Sequence, residues 1–231
     1  MPLKLAIQSR SFSPWVLAAF AGCLGICLKV PQIAKSAENP TIKADGSAAE
    51  SSQNRELAID SGRAVGEYVP TFYTRVVTGP LMNRSVCYVC RSGQRPVVMV
   101  FLRSLDEEFK PLLKEVDRLV DRHRAEGLRS FGIFVSEDPS EAVSPVQTFS
   151  FDHKIVLPLT VASNTIAEPY CQNLNAKADV TVVLYEKRRV VERFAFRKDQ
   201  VKRRQIQEIS DSINKLVAQS GNRGKSSAPA E

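Results

Sequence analysis

Seven residues, Pro96-Val97-Val98-Met99-Val100-Phe101-Leu102, constrain this chain more than any other feature. A run with no polar side chain on either face of the pleat fits a strand buried on both sides, which requires layers above and below a sheet. Ser104-x-x-Glu107 follows at once and reads as a capping box, in which the hydroxyl and the carboxylate satisfy each other's free amides. The helix it predicts carries Leu105, Phe109, Leu112, Leu113, Val116, Leu119 and Val120 in 3–4 spacing, so one stripe is apolar. A basic last turn (Arg122, His123, Arg124) and Gly127 mark its end.

The rest of the pattern alternates. Phe131–Val135 reads as a second strand, and Ser136–Phe151 as loop with a helical turn. Ile155–Val161 is extended, with Pro158 arguing for a strand end or edge. A short helix is expected around Thr165–Leu174. Val180–Tyr185 and Val190–Phe196 form a hairpin across the charged turn 186–189. A last helix begins at Asp199, buries Val201, Ile206, Ile209, Ile213, Leu216 and Val217, and stops at Gly221. The order β-α-β-(short α)-β-β-α predicts an α/β domain around a mixed sheet, closed by a hairpin and a C-terminal helix.

The 231 residues suffice for one domain with tails. Lys4 and Arg10 precede the apolar run Val16–Leu28, which has the length of a signal-peptide h-region and is too short to span a bilayer comfortably. Ala34-Lys35-Ser36 has the small-x-small form of a cleavage site, so residues 1–36 read as an export signal. Ala21-Gly22-Cys23 also has the form of a lipobox ending, which would attach a lipid to Cys23, although Phe20 fits that motif poorly. An uncleaved anchor and a buried helix are the remaining readings of this run. Residues 37–56 are poor in large apolar side chains and read as a disordered tether, 57–219 as the folded domain, and 220–231 as a second disordered tail. The expected location is the periplasm or cell envelope, as a soluble product after cleavage near Ser36 or, in the competing readings, attached through Cys23 or an uncleaved signal.

Charge gives little away. The chain carries +7, but residues 1–37 hold four bases and no acid, leaving 28 basic against 25 acidic residues. Nucleic acid is therefore not an expected partner. One basic stretch stands out: from 186 to 204 nine Lys/Arg face three acids, and Lys187, Arg188, Arg189 and Arg193 could form a docking face for an anionic surface. A solvated face is the plainer reading.

Chemistry rests on cysteines. Cys87-Tyr88-Val89-Cys90 has the spacing of a disulfide oxidoreductase or of half a metal site. Residues i and i+3 of a strand point to opposite faces and cannot bond, whereas a turn or helical loop brings them together. Arg84, Arg91 and Arg95 surround the pair and favour thiolate. A structural pair, a redox pair and a thiolate metal site all remain open; His123 and His153 lack ligand spacing, so neither a metal nor a cofactor is expected. Cys171 is a lone thiol, either a small core residue or a resolving thiol.

The arrangement resembles the thioredoxin-like superfamily, in particular its exported redoxin branch (TlpA- and AhpC/TSA-like). Val65-Gly66-Glu67-Tyr68-Val69-Pro70-Thr71-Phe72 looks like the G-x-x-x-P-x-F lead-in of that branch, Pro96–Phe101 like its first core strand, and Pro111 like the proline of its active-site helix. The resemblance implies a three-layer sandwich and exchange with a protein thiol or disulfide partner. It also implies cysteines just after the first core strand, yet those positions fall on Arg103 and Asp106, and the cis-proline before the closing hairpin is replaced by Val180. The Pro-x-x-x-Thr/Ser-x-x-Cys frame of peroxiredoxins has no counterpart. Any exchange chemistry would fall to Cys87 and Cys90, at the opposite end of the strand from the usual site.

Overall fold

Alternate residues of Val97–Leu102 do point into two different cores. The computed structural model describes residues 59–226; the expected signal 1–36, the whole expected tether 37–56 and residues 227–231 lie outside the described residues. Strands β1 (Thr74–Val76), β2 (Ser85–Val86), β3 (Val97–Leu102), β4 (Arg129–Ser136), β5 (Leu159–Ser163), β6 (Val180–Glu186) and β7 (Arg189–Phe196) build one sheet in the order β2-β1-β5-β4-β3-β6-β7. The central β3, β4 and β5 are parallel, and all other pairings are antiparallel.

Val98, Val100 and Leu102 face helices α2 (Lys110–Arg122), α3 (Val143–His153) and α4 (Arg203–Ser226), whose Leu112, Val116, Phe149 and Ile213 share their core. Val97, Met99 and Phe101 face the other way, into a second core closed by Val69, Phe72, the short helix α1 (Tyr88–Ser92) and Ile166. All six residues of β3 are therefore buried, as its composition requires. Gly132 is the one position of β4 where the layers leave no room: a Cβ there would sit 2.6 Å from Leu159 Cδ2. The β6–β7 hairpin turns through Lys187 and Arg188 at φ 53° and 60°, the left-handed pair that a two-residue turn between twisted strands demands.

Several expectations fail at element ends. Ser104 does not cap a helix, because its hydroxyl is bonded to Asp106 Oδ2 at 2.6 Å. The chain instead enters through a 3-10 turn, Glu107–Phe109, and α2 starts with Pro111 in its first turn, where a missing N–H is harmless; Pro111 produces no kink. That helix ends at Arg122, and Gly127, at φ 90°, closes the turn beyond it. The stretch expected to be loop holds α3, which has no clean apolar stripe and carries Pro145 in its first turn. The third parallel strand begins only at Leu159, just past Pro158, and the short helix expected at 165–174 is a 3-10 turn, Asn164–Ala167. Asp199 lies in a separate 3-10 turn, Lys198–Gln200, before α4. Gly221 does not stop α4, since a glycine ends a helix only by turning left-handed and otherwise merely weakens it.

Candidate functional site

The cysteine pair lies where strand becomes helix. Ser85-Val86 pairs with β1, and Cys87 then becomes the N-cap of α1. Over that single turn the two sulfurs meet: Cys87 and Cys90 form a disulfide with Cα atoms 5.3 Å apart. The Cys90 backbone N–H also donates to Cys87 Sγ at 3.1 Å. The two sulfurs differ in access. Cys87 is buried in the second core, whereas Cys90 is exposed.

Two contacts hold α1 against the sheet. Tyr88 stacks on Phe131 of β4 with ring centroids 5.0 Å apart, and Val89 is fully buried. Burial raises the Tyr88 phenol above its ordinary range, against the nearby Arg91 charge. Residues 93–96 then lead directly into the amino end of β3, where Val97 pairs with Arg129 on one side and Tyr185 on the other. The pair therefore stands at the amino end of the parallel strands. A groove of about 1140 Å³ opens between α1, α2 and the starts of β4 and β5; α1 lines it with Tyr88, Arg91 and Ser92, and neither cysteine is in its lining.

The carboxyl end of β3 carries the other residues singled out in the sequence. Arg103–Asp106 connects β3 to α2, with the Arg103 N–H donating to Asp179 O and Lys198 Nζ lying 3.9 Å from Asp106. Val180 opens β6, and no cis peptide bond occurs among the described residues. Cys171 lies in the loop leading into β6; burial raises its thiol pKa, opposed by the Gln172 amide and Arg63. It packs against the second core, the one that holds Cys87, and is a free thiol outside the disulfide. Among the described residues there is no cluster of three or more His, Cys, Asp or Glu that could hold a metal.

The basic hairpin side chains are mostly spent on the chain itself. Arg188 lies 4.2 Å over the Tyr68 ring and donates to Val69 O, Arg189 donates to Gly66 O, and Arg193 binds Gly62 O and Asp60. Lys187, at the tip, is exposed. Sequence reasoning missed the groove beside α1. Its signal was present in Arg91, Arg95 and Arg129, but nothing in their spacing said that one cavity would collect them.

No protein-family model matches this chain, and no curated protein does. Solved structures do. A protein described as a protein disulfide isomerase from Bacteroides thetaiotaomicron superposes with a TM-score of 0.55 at 15% identity, covering 72% of this chain and 99% of that one. A protein described as the thiol:disulfide interchange protein DsbE from Chlorobium tepidum gives 0.50 at 15% identity, over 67% and 98%. A hypothetical protein from Sinorhizobium meliloti gives 0.52 at 15% identity, over 69% and 88%. The fold is thioredoxin-like. Within this thioredoxin-like fold the disulfide precedes β3, while Arg103 and Asp106 occupy the connection after it.

Proposed function

We propose that this protein is an exported thiol–disulfide exchange protein whose working pair, Cys87 and Cys90, stands at the amino end of the sheet. The observation that carries this reading is the asymmetry of the disulfide: one sulfur open to solvent, the other buried beneath it on the same turn. Loop size argues the same way. A bridge closing four residues removes little disorder from the unfolded chain, about 2 kcal/mol, against about 4.7 for a 100-residue loop. It is a poor staple.

In the oxidised state a partner thiolate attacks Cys90 Sγ, the Cys87–Cys90 bond breaks, and its electron pair leaves on Cys87. The Cys90 N–H beside that sulfur favours the departing thiolate. A second thiolate of the partner then attacks the partner sulfur of the mixed disulfide and expels Cys90. The partner loses two electrons and the pair gains them, with the thiol protons passing to water. Run backwards, Cys90 attacks a partner disulfide and Cys87 resolves it.

Titration of the native chain with dithiothreitol and glutathione buffers tests this. The expected result is reversible reduction without denaturant, with Cys87→Ser trapping a mixed disulfide through Cys90. A pair that reduces only after unfolding would leave the alternative, a non-catalytic binding module docking through its basic hairpin. That alternative has less support, because Arg188, Arg189 and Arg193 already hold residues 60–69. Export rests on the leader-like residues 1–36 and on the oxidised pair, which suits an oxidising compartment. The mass of the mature N-terminus distinguishes cleavage after Ser36, lipidation at Cys23 and a retained anchor.

A further inference from the structure

The groove lined by Arg91, the residue next to Cys90, has an electrostatic character that the exchange chemistry does not use. Six bases line it, Arg91, Arg95, Lys114, Arg118, Arg124 and Arg129, against three acids. Each acid is already engaged. Glu115 binds Arg118 and Ser210, Asp117 accepts the N–H groups of Val156 and Leu157, and Asp121 pairs with Arg124. The guanidiniums of Arg91 and Arg95 meet no acceptor and no carboxylate among the described residues. Both are exposed, one directly after Cys90 and the other five residues on. A concave surface with uncompensated positive charge concentrates anions and speeds their arrival.

We propose that this groove docks an acidic, extended segment of the thiol partner, whose cysteine, flanking the docked segment, reaches Cys90 next to Arg91 outside the groove. The proposal rests on the exchange reading above and adds the chemistry of its substrate. Charge complementarity selects an acidic occupant. Dimensions select a peptide, since the groove exceeds the usual 300–1,000 Å³ of small-ligand sites. Its α2 wall from Pro111 to Asp121 is about 15 Å long, the length of roughly five extended residues. Tyr88, Phe131 and Pro158 give its wall apolar surface between the charges. A nucleic acid would match the charge but brings no thiol to Cys90.

The experiment uses the oxidised full-length chain and three cysteine peptides of equal length, flanked by Glu, by Gln or by Lys. The rate of reduction of the Cys87–Cys90 bond is measured at low salt and in 0.5 M NaCl. The Glu peptide is expected to react about tenfold or more faster than the Lys peptide at low salt, with most of the difference lost at high salt. Arg91→Gln with Arg95→Gln should collapse that preference, and Arg204→Gln, on α4, should leave it in place. Equal rates for all three peptides overturn the docking proposal while leaving exchange intact, provided the uncharged thiol β-mercaptoethanol still reduces the pair. If no thiol reduces the native pair, the exchange reading fails. Docking is then judged by fluorescence anisotropy with the Glu peptide carrying Ser in place of Cys. Salt-sensitive binding lost in the double variant supports it, and absence of binding overturns it.

Discussion

The two ends of β3 are built from similar material, a short loop, a helix start and nearby charges, yet they leave different things undone. At the carboxyl end several polar groups answer one another: Ser104 binds Asp106, Lys198 approaches Asp106, and the Arg103 and Lys198 amides both bind Asp179, which leaves the Arg103 guanidinium as the group there without a partner among the described residues. At the amino end an exposed sulfur adjoins Arg91, which with Arg95 lines a groove and has no acceptor among the described residues. A fold supplies the platform, and the site lies where groups remain unspent. The contrast turns on which end of the sheet carries unsatisfied chemistry.

The test with the largest expected effect asks whether the amino end is the working one. Cys90→Ser should lower exchange with a dithiol peptide by more than about 100-fold, as loss of a nucleophile does. Cys87→Ser should also abolish turnover but accumulate mixed disulfide, visible on a non-reducing gel. Equal trapping by both variants would break the assignment of roles drawn from the burial of Cys87. Activity retained in both would move the chemistry elsewhere.

A second test weighs the ends by stability. Tyr88→Ala removes the ring that lies on Phe131 and should cost about 2 kcal/mol, below the 3–5 of a fully buried aromatic because Tyr88 is partly exposed. Asp106→Ala at the other end loses one neutral hydrogen bond and a long ion pair, and should cost no more than about 1 kcal/mol. Urea melts of the two variants compare the platforms directly. Reduction of wild type should lower stability by about 2 kcal/mol, the entropy of a four-residue loop. A much larger loss would show that the pair is a structural staple after all.

How much of this could be read beforehand depends on what each residue answers to. Val97–Leu102 announced both covering layers because burial on two faces forbids polar residues at every position. The hairpin was equally plain. Ser104 misled because its hydroxyl had a nearer partner in Asp106, and a capping box in sequence does not record that competition. Helix α3 escaped because its apolar residues do not fall in one stripe. The β-rich composition of 85–90 was honoured for two residues only, after which Cys87 capped a turn of helix, and that switch allowed the sulfurs to meet. The arginine groove assembles α1, α2 and the approaches to β4 and β5, with lining residues as far apart in sequence as Pro80 and Pro158, and no local pattern encodes it.

The smallest expected effect concerns Cys171, the one thiol at the conventional end. It is the single free cysteine among the described residues. Burial raises its pKa, so at neutral pH it is held as thiol and the nucleophilic thiolate is scarce. In wild-type protein with the pair oxidised, its alkylation by iodoacetamide should therefore be slow at pH 7 and should climb only at pH values above the ordinary thiol range near 8.5. Cys171→Ser should leave exchange through Cys90 within about twofold, because Cys171 is a free thiol that is not bonded to the pair and is held protonated by burial. Rapid labelling at neutral pH, or loss of turnover in Cys171→Ser, would mean that the carboxyl end takes part.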